Sequence, residues 1–270
     1  MKSILAVALL SYKEGIRQKL LYSTVLFAIL MCFGAVLVSG LFLRDISKII
    51  LDFCLTAVNI GGLLVPFFLA IHLLSRDIER KSIVTILAQP LARHSYIIGK
   101  FLGISYLTAT VMAILTVTTF ISVWMGIALY GEKFFTSFAL LPVLSSILLS
   151  WLGILVLNAM VVLWCTVTTS SFLATLLTFF TYIIGHSIDD VVRFLSIENS
   201  KMIIALPVRK VIEFCQYIFP NLSAFDFKNQ AAHGLSIPAS EFLFVTVYAI
   251  AYICIILSLA ILFFRKRDIA

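Results

Sequence analysis

The sequence predicts an all-α membrane protein built as one transmembrane domain. It has six transmembrane helices, an N-terminal interfacial helix, a cytoplasmic helix between the second and third spans, and short helices in an outer segment before the last span. Three observations carry this prediction. The 270 residues are 62% hydrophobic and 12% charged, where a soluble domain is about half apolar and about a quarter charged. Five stretches run free of Asp, Glu, Lys and Arg: 20–43, 53–75, 101–131, 134–188 and 242–264. The fourth would form a single helix of roughly 80 Å, far longer than a hydrocarbon core of roughly 30 Å requires, so it folds back and counts as two spans.

Residues 1–19 read as an amphipathic helix on the membrane surface that leads through Arg17 and Lys19 into the first span, 20–43. The apolar run after Lys2 superficially resembles a signal peptide. Tyr12, Lys13 and Glu14 follow it, however, and no small-x-small cleavage site does. The second span is placed at 53–75 and the third at 97–130. The charge-free part of the third would be roughly 46 Å long, so it tilts or projects beyond the hydrocarbon. The fourth and fifth spans, 137–165 and 171–188, are divided at the run Thr166, Thr168, Thr169, Ser170 and Ser171, because hydroxyl side chains compete for backbone hydrogen bonds and favour turns. Residues 189–241 form the outer segment, punctuated by Pro207, Pro220, Gly234 and Pro238, and 242–264 is the last span. Within the outer segment, Val208, Val211, Ile212, Cys215 and Phe219 share one helical face.

Charge sets the orientation. With six spans both termini share a side, and that side carries twelve of the 20 Lys and Arg residues, many of them close to span ends. Positive charge counts most there, so the termini are expected to be cytoplasmic. Clusters such as Arg265, Lys266 and Arg267 suit anionic lipid headgroups and account for the net charge of +7 without nucleic acid. Four of the five cysteines, Cys32, Cys54, Cys165 and Cys254, fall within or at the ends of spans, where thiols act as small apolar packers.

The span centres carry no ionisable residue. His72 and His186 stand near span ends, and Asn59 and Asn158 are the notable mid-span polar groups. All four read as interhelical hydrogen-bonding residues. An ion-coupled pump generally needs paired charges inside the bilayer, so any work has to be driven from outside this chain. No Ser/Lys, paired-Asp or His-Glu-x-x-His arrangement lies in the spans, which argues against an intramembrane hydrolase. His186, Asp189 and Asp190 share a helix face, but three residues of mixed type read as a solvated helix end and no metal site is assigned.

The segment 76–96 is the most informative. Ile78, Ile83, Ile86 and Leu87 are its apolar positions, Asp77, Arg80 and Lys81 stay polar, and Pro90 ends the helix. Such a helix inserts into a groove of a partner protein or rests at the interface, and amphipathicity leaves both open. Glu79, Arg80, Ser82, Leu87, Pro90 and Arg93, followed by Gly99 and Lys100, resemble the first cytoplasmic loop of ABC transporter permeases of the type-two exporter class. The pattern there is approximately E-R-G-T-x-x-x-L-x-x-P-x-x-R with a G-K pair opening the next span. Ser82 stands for the family threonine and Lys81 for its glycine. The nearest group is the one associated with multicopper-enzyme maturation.

The resemblance implies that this loop is a coupling helix docking on a separate ATPase dimer. Glu79, Arg80, Ser82, Ile83, Ile86, Leu87 and Pro90 would then be the contact residues. ATP and its magnesium would sit on that partner, since this chain has no G-x-x-x-x-G-K-[ST] phosphate loop, and the chain itself would be neither an enzyme nor a cofactor carrier. A second permease copy or a related permease would complete the assembly in the plasma (inner) membrane, with the substrate path between protomers. The outer helix around 208–219 would re-enter the outer leaflet, or else rest on headgroups. The rival readings are a non-transporting scaffold or assembly factor that recruits another partner through the same loop and, further off, a secondary transporter.

Overall fold

The computed structural model describes residues 2–41, 46–74, 92–135, 138–196 and 206–266. Its helices are α1 (Lys2–Ile16), α2 (Lys19–Ser39), α3 (Ile46–Leu64), α4 (Arg93–Tyr130), α5 (Leu140–Val167), α6 (Ser171–Ser196), α7 (Leu206–Ile218), α8 (Lys228–Ala232) and α9 (Ala239–Lys266). The described residues contain no strand. Six helices are long and apolar enough to cross a membrane, namely α2, α3 with its continuation to Leu74, α4, α5, α6 and α9. The chain is an all-helical protein of multi-pass membrane character.

Several helices outrun the charge-free stretches, for one physical reason: a helix tolerates charge at its aqueous end. α3 begins at Ile46 rather than at 53, and takes in Lys48 and Asp52, whose side chains are not buried. α6 continues past 188 to Ser196, where Asp189 and Arg193 pair at 2.8 Å across one turn. α4 starts at Arg93, so 93–96, assigned to the loop from sequence, are helical. Between α5 and α6 the chain leaves the helix at 168–170, where Thr168 turns extended and its hydroxyl donates to the Trp164 carbonyl at 2.7 Å.

α3 widens near its end into a π-helical turn, Val65–Ala70. Pro66 cannot donate a backbone hydrogen bond and crowds the preceding turn, and the wider turn lets the Ile71 N–H reach the Pro66 carbonyl.

α4 is the strut of the molecule. Its 38 residues span about 57 Å at the helical rise, well beyond a bilayer core of roughly 30 Å. α1 lies along its first turns and α2 along the rest, both running in the same direction as α4. Gly99 and Gly103 permit the α1 contact. A Cβ at Gly103 would lie 2.7 Å from the Ala8 carbonyl oxygen, and one at Gly99 would lie 2.7 Å from the Val7 Cβ. Further along, the Tyr12 and Thr110 hydroxyls bond at 3.0 Å. On α2, the Val36 carbonyl accepts from the Tyr130 hydroxyl at 2.9 Å.

α5 is the centre. Every residue from 153 to 163 is buried, three full turns covered on all sides by α3, α4, α6, α9 and the outer segment. In the middle sits Asn158, wholly buried, whose amide donates to the Thr108 hydroxyl of α4 at 2.9 Å. Its Oδ1 accepts no hydrogen bond.

Gly103→Val should lower stability by about 1–3 kcal/mol through overpacking against α1, read as an earlier thermal unfolding in detergent. Gly34→Ala, whose Cβ meets nothing within 4 Å, should leave that transition in place. A double-mutant cycle with Asn158→Leu and Thr108→Val should return a coupling of about 0.6 kcal/mol, typical of interhelical bonds in membranes.

Candidate functional site

Glu79, Arg80, Ser82, Ile83, Ile86, Leu87 and Pro90 lie outside the described residues. What is described is the base on which their segment is mounted. On one side the chain enters it from the end of α3, where Ile71, Leu73 and Leu74 are buried and His72 is exposed. On the other side it returns into α4, where Tyr96 and Ile97 are buried. Ile71, Leu74, Tyr96 and Ile97 belong to a single apolar cluster that also takes in Val162 of α5 and Phe264 of α9. Tyr96 stacks on Phe264 with ring centroids 5.8 Å apart. A push on the segment would therefore reach α3, α4, α5 and α9 together, because close-packed side chains transmit displacement rather than absorb it.

Three of the motif residues are visible, and each has a structural task. Arg93 donates from Nη1 to the Arg265 carbonyl at 3.0 Å, placing a cation at the C-terminus of α9, where the helix dipole favours it. Gly99 gives α1 room, as described above. Lys100 is 1% exposed, its Nζ is 4.0 Å from a Glu14 carboxylate oxygen and it stands 5.9 Å from the Tyr96 ring centroid. A buried lysine is tolerated only with such partners. The sequence reading took Gly99 and Lys100 as the opening of a span. It missed that Glu14, far away in the chain, pairs with it, and the only available signal was the single acidic residue of α1.

At the opposite end, the outer segment closes over the bundle. The Leu222 N–H donates to the Gly185 carbonyl at 2.8 Å, the Asn221 N–H to the Tyr248 hydroxyl at 2.9 Å, and the Tyr252 hydroxyl to the Ile218 carbonyl at 2.7 Å. Phe225 is buried against Gly153, where a Cβ would lie 3.0 Å from it. Beneath this cover is a small, mostly apolar cavity of about 30 Å³, to which Asn59, Ser150, Tyr182, His186 and Asp226 contribute polar groups. Asp226 pairs with Lys228 at 3.2 Å, and the His186 ring stacks on Tyr182. Asn158 forms the interhelical bond expected of it, whereas His186 makes a ring contact. Asp189 is engaged by Arg193, and among the described residues no group of three His, Cys, Asp or Glu side chains is placed to hold a metal.

Two larger cavities open on the flank of the bundle rather than along its axis. One, about 450 Å³, lies between the π-helical turn and α6 and is lined by Phe67, Phe68, Phe172, Leu176 and Phe179. The other, about 390 Å³, lies between α2 and α3 and is lined by Thr24, Phe27, Ile60, Leu64 and Phe68. Phe68 borders both. Tyr182 borders both the larger groove and the small cavity.

Compared with known protein families and with curated proteins, the sequence matches none.

Glu14→Gln should loosen α1 by about 1 kcal/mol, since it leaves the buried Lys100 charge with a weaker partner while Glu14 itself is partly solvated. Hydrogen exchange should rise across 2–16 and stay unchanged in α5.

Proposed function

We propose that this chain is the membrane subunit of an ABC exporter, taking its energy from a separate ATPase that docks on the segment 76–92. The observation that carries the reading is the joint at the base of that segment. The residues resembling a coupling-loop pattern are strung between two helix ends that share one apolar cluster with α5 and α9. A docking helix on such a mounting acts on the whole bundle at once, and that is the requirement for converting closure of an ATPase dimer into movement of spans. ATP and magnesium belong to the partner, and this chain supplies no catalytic group.

The bundle's flank supports a second copy. The wholly covered middle of α5 leaves little room along the axis of one protomer, while the larger cavities open sideways between α2, α3 and α6. A substrate path in this reading runs between protomers. The orientation follows from charge: Arg93, Arg265 and Lys266 meet at one end of the molecule, which favours the cytoplasmic face of a plasma membrane, with both termini inside. α1 then lies at that face, where it sheathes the surplus length of α4.

The test is reconstitution with a phosphate-loop ATPase of the same cell, sought first in the neighbouring reading frame. The two should co-purify, and the triple variant Ile83→Ala, Ile86→Ala, Leu87→Ala should weaken their association by about tenfold or more, equivalent to at least about 1.4 kcal/mol. If the ATPase neither co-purifies nor changes its turnover when the triple variant replaces the native chain, the exporter reading is wrong.

A further inference from the structure

The first half of α6 has two unlike faces. Ala174, Thr178 and Thr181 are wholly buried, and the two hydroxyls donate to carbonyls one turn back, each at 2.8 Å. Thr181 also accepts from the Trp164 indole of α5 at 3.0 Å, so its polar capacity is used within the bundle. The other face is aromatic. Phe172, Phe179 and Tyr182 recur at helical spacing along about 15 Å, and Phe172 and Phe179 stay open to the lipid side.

The π-helical turn after α3 supplies the facing wall. Pro66 widens that turn, and the next two residues, Phe67 and Phe68, border the groove. Phe67 meets the Phe179 ring edge-on at 6.3 Å and the Tyr182 ring at 5.8 Å, and Phe68 is exposed. Turns of this kind within helices are frequent at functional sites. The space between the walls, about 450 Å³, falls within the range of about 300–1,000 Å³ found for small-molecule sites. Aromatic side chains line most of it, with Thr175 and Leu176 completing the floor. A saturated lipid chain needs only an apolar wall, whereas ring faces and edges at these angles favour a ligand that itself carries rings.

One end of the groove offers hydrogen bonds. Tyr182 stands there, stacked on His186 with centroids 5.8 Å apart, and the small cavity behind it brings in Asn59. Among the described residues the Tyr182 hydroxyl, the Asn59 amide and the His186 ring make no hydrogen bond. Polar groups at this depth are costly to leave without a partner. The carboxylate nearest them, Asp226, is paired with Lys228 at 3.2 Å, so the end presents hydrogen-bonding capacity without a free charge. A charged ligand group would lack the counter-charge that a membrane interior demands.

We propose that this groove is a binding site for a neutral, ring-bearing amphiphile taken from the lipid phase. Its rings lie between Phe67 and Phe68 on one side and Phe172 and Phe179 on the other, and its polar group bonds to the Tyr182 hydroxyl. Binding needs no ATPase, so the site stands or falls separately from the exporter reading.

The test uses the full chain in phosphatidylcholine vesicles with hydroxymethyl benzophenone, a neutral two-ring alcohol whose ketone inserts into neighbouring C–H bonds when irradiated. Adducts are mapped by mass spectrometry. Labelling should saturate, concentrate on the π-helical turn and the first half of α6, and fall away with an excess of biphenylmethanol. Leu176→Trp, which fills the floor from a partly exposed position, should abolish it. Tyr182→Phe removes a hydroxyl that the fold does not use, and should raise the half-saturating concentration about threefold or more through one lost hydrogen bond. Labelling spread evenly over lipid-facing helices, α9 with Phe244 and Phe263 included, would overturn the proposal and leave phospholipid as the occupant. So would absence of labelling in the groove, as when a second copy covers it, or an unchanged half-saturation in Tyr182→Phe.

Discussion

The enclosure of α5 is the constraint on which the rest depends. A helix that is apolar all round has no side to offer to water, so its neighbours must surround it. Here three consecutive turns, 153–163, are covered, and the single polar side chain among them, Asn158, finds Thr108 on α4. That contact fixes the height of α4 against α5. Once α4 is fixed, α1 and α2 follow it in order, because the glycines of α4 admit α1 and the Tyr130 hydroxyl reaches back to α2.

The two ends of the bundle are finished in different ways. At one end the helices meet through aromatic stacking and charge, with Tyr96 on Phe264, Arg93 on the last carbonyls of α9 and Lys100 beside Glu14. At the other, backbone groups of the outer segment bond to Gly185, Tyr248 and Tyr252, and Phe225 is buried against Gly153. The first is built from long side chains, of which Tyr96, Lys100 and Phe264 are buried. The second uses hydrogen bonds to backbone groups, part-buried at Asn221 and exposed at Ile218.

The charge-free stretches made the number and approximate placement of the spans legible, since a bilayer imposes one length scale on any chain that crosses it. The division of the long stretch 134–188 was legible too, because Thr168 offers the backbone a competing hydrogen bond where the helix ends. Helix ends were less so: Asp52 and Asp189 look like boundaries in a list of charges, yet they lie inside α3 and α6. The segment with Glu79 through Pro90 was read from pattern and resemblance alone, and it lies outside the described residues.

What the sequence determined by itself is therefore the class of molecule, an all-helical chain with six membrane-length helices and uncharged span centres, because hydrophobic length and charge are one-dimensional properties. Tertiary structure alone decided which residues meet. Glu14 with Lys100, Asn158 with Thr108 and Leu222 with Gly185 are pairings on different elements. Nothing in periodicity connects them. Lipid favours every apolar face equally, so the choice among partners rests on where glycine lets backbones approach and where the few polar groups must satisfy one another.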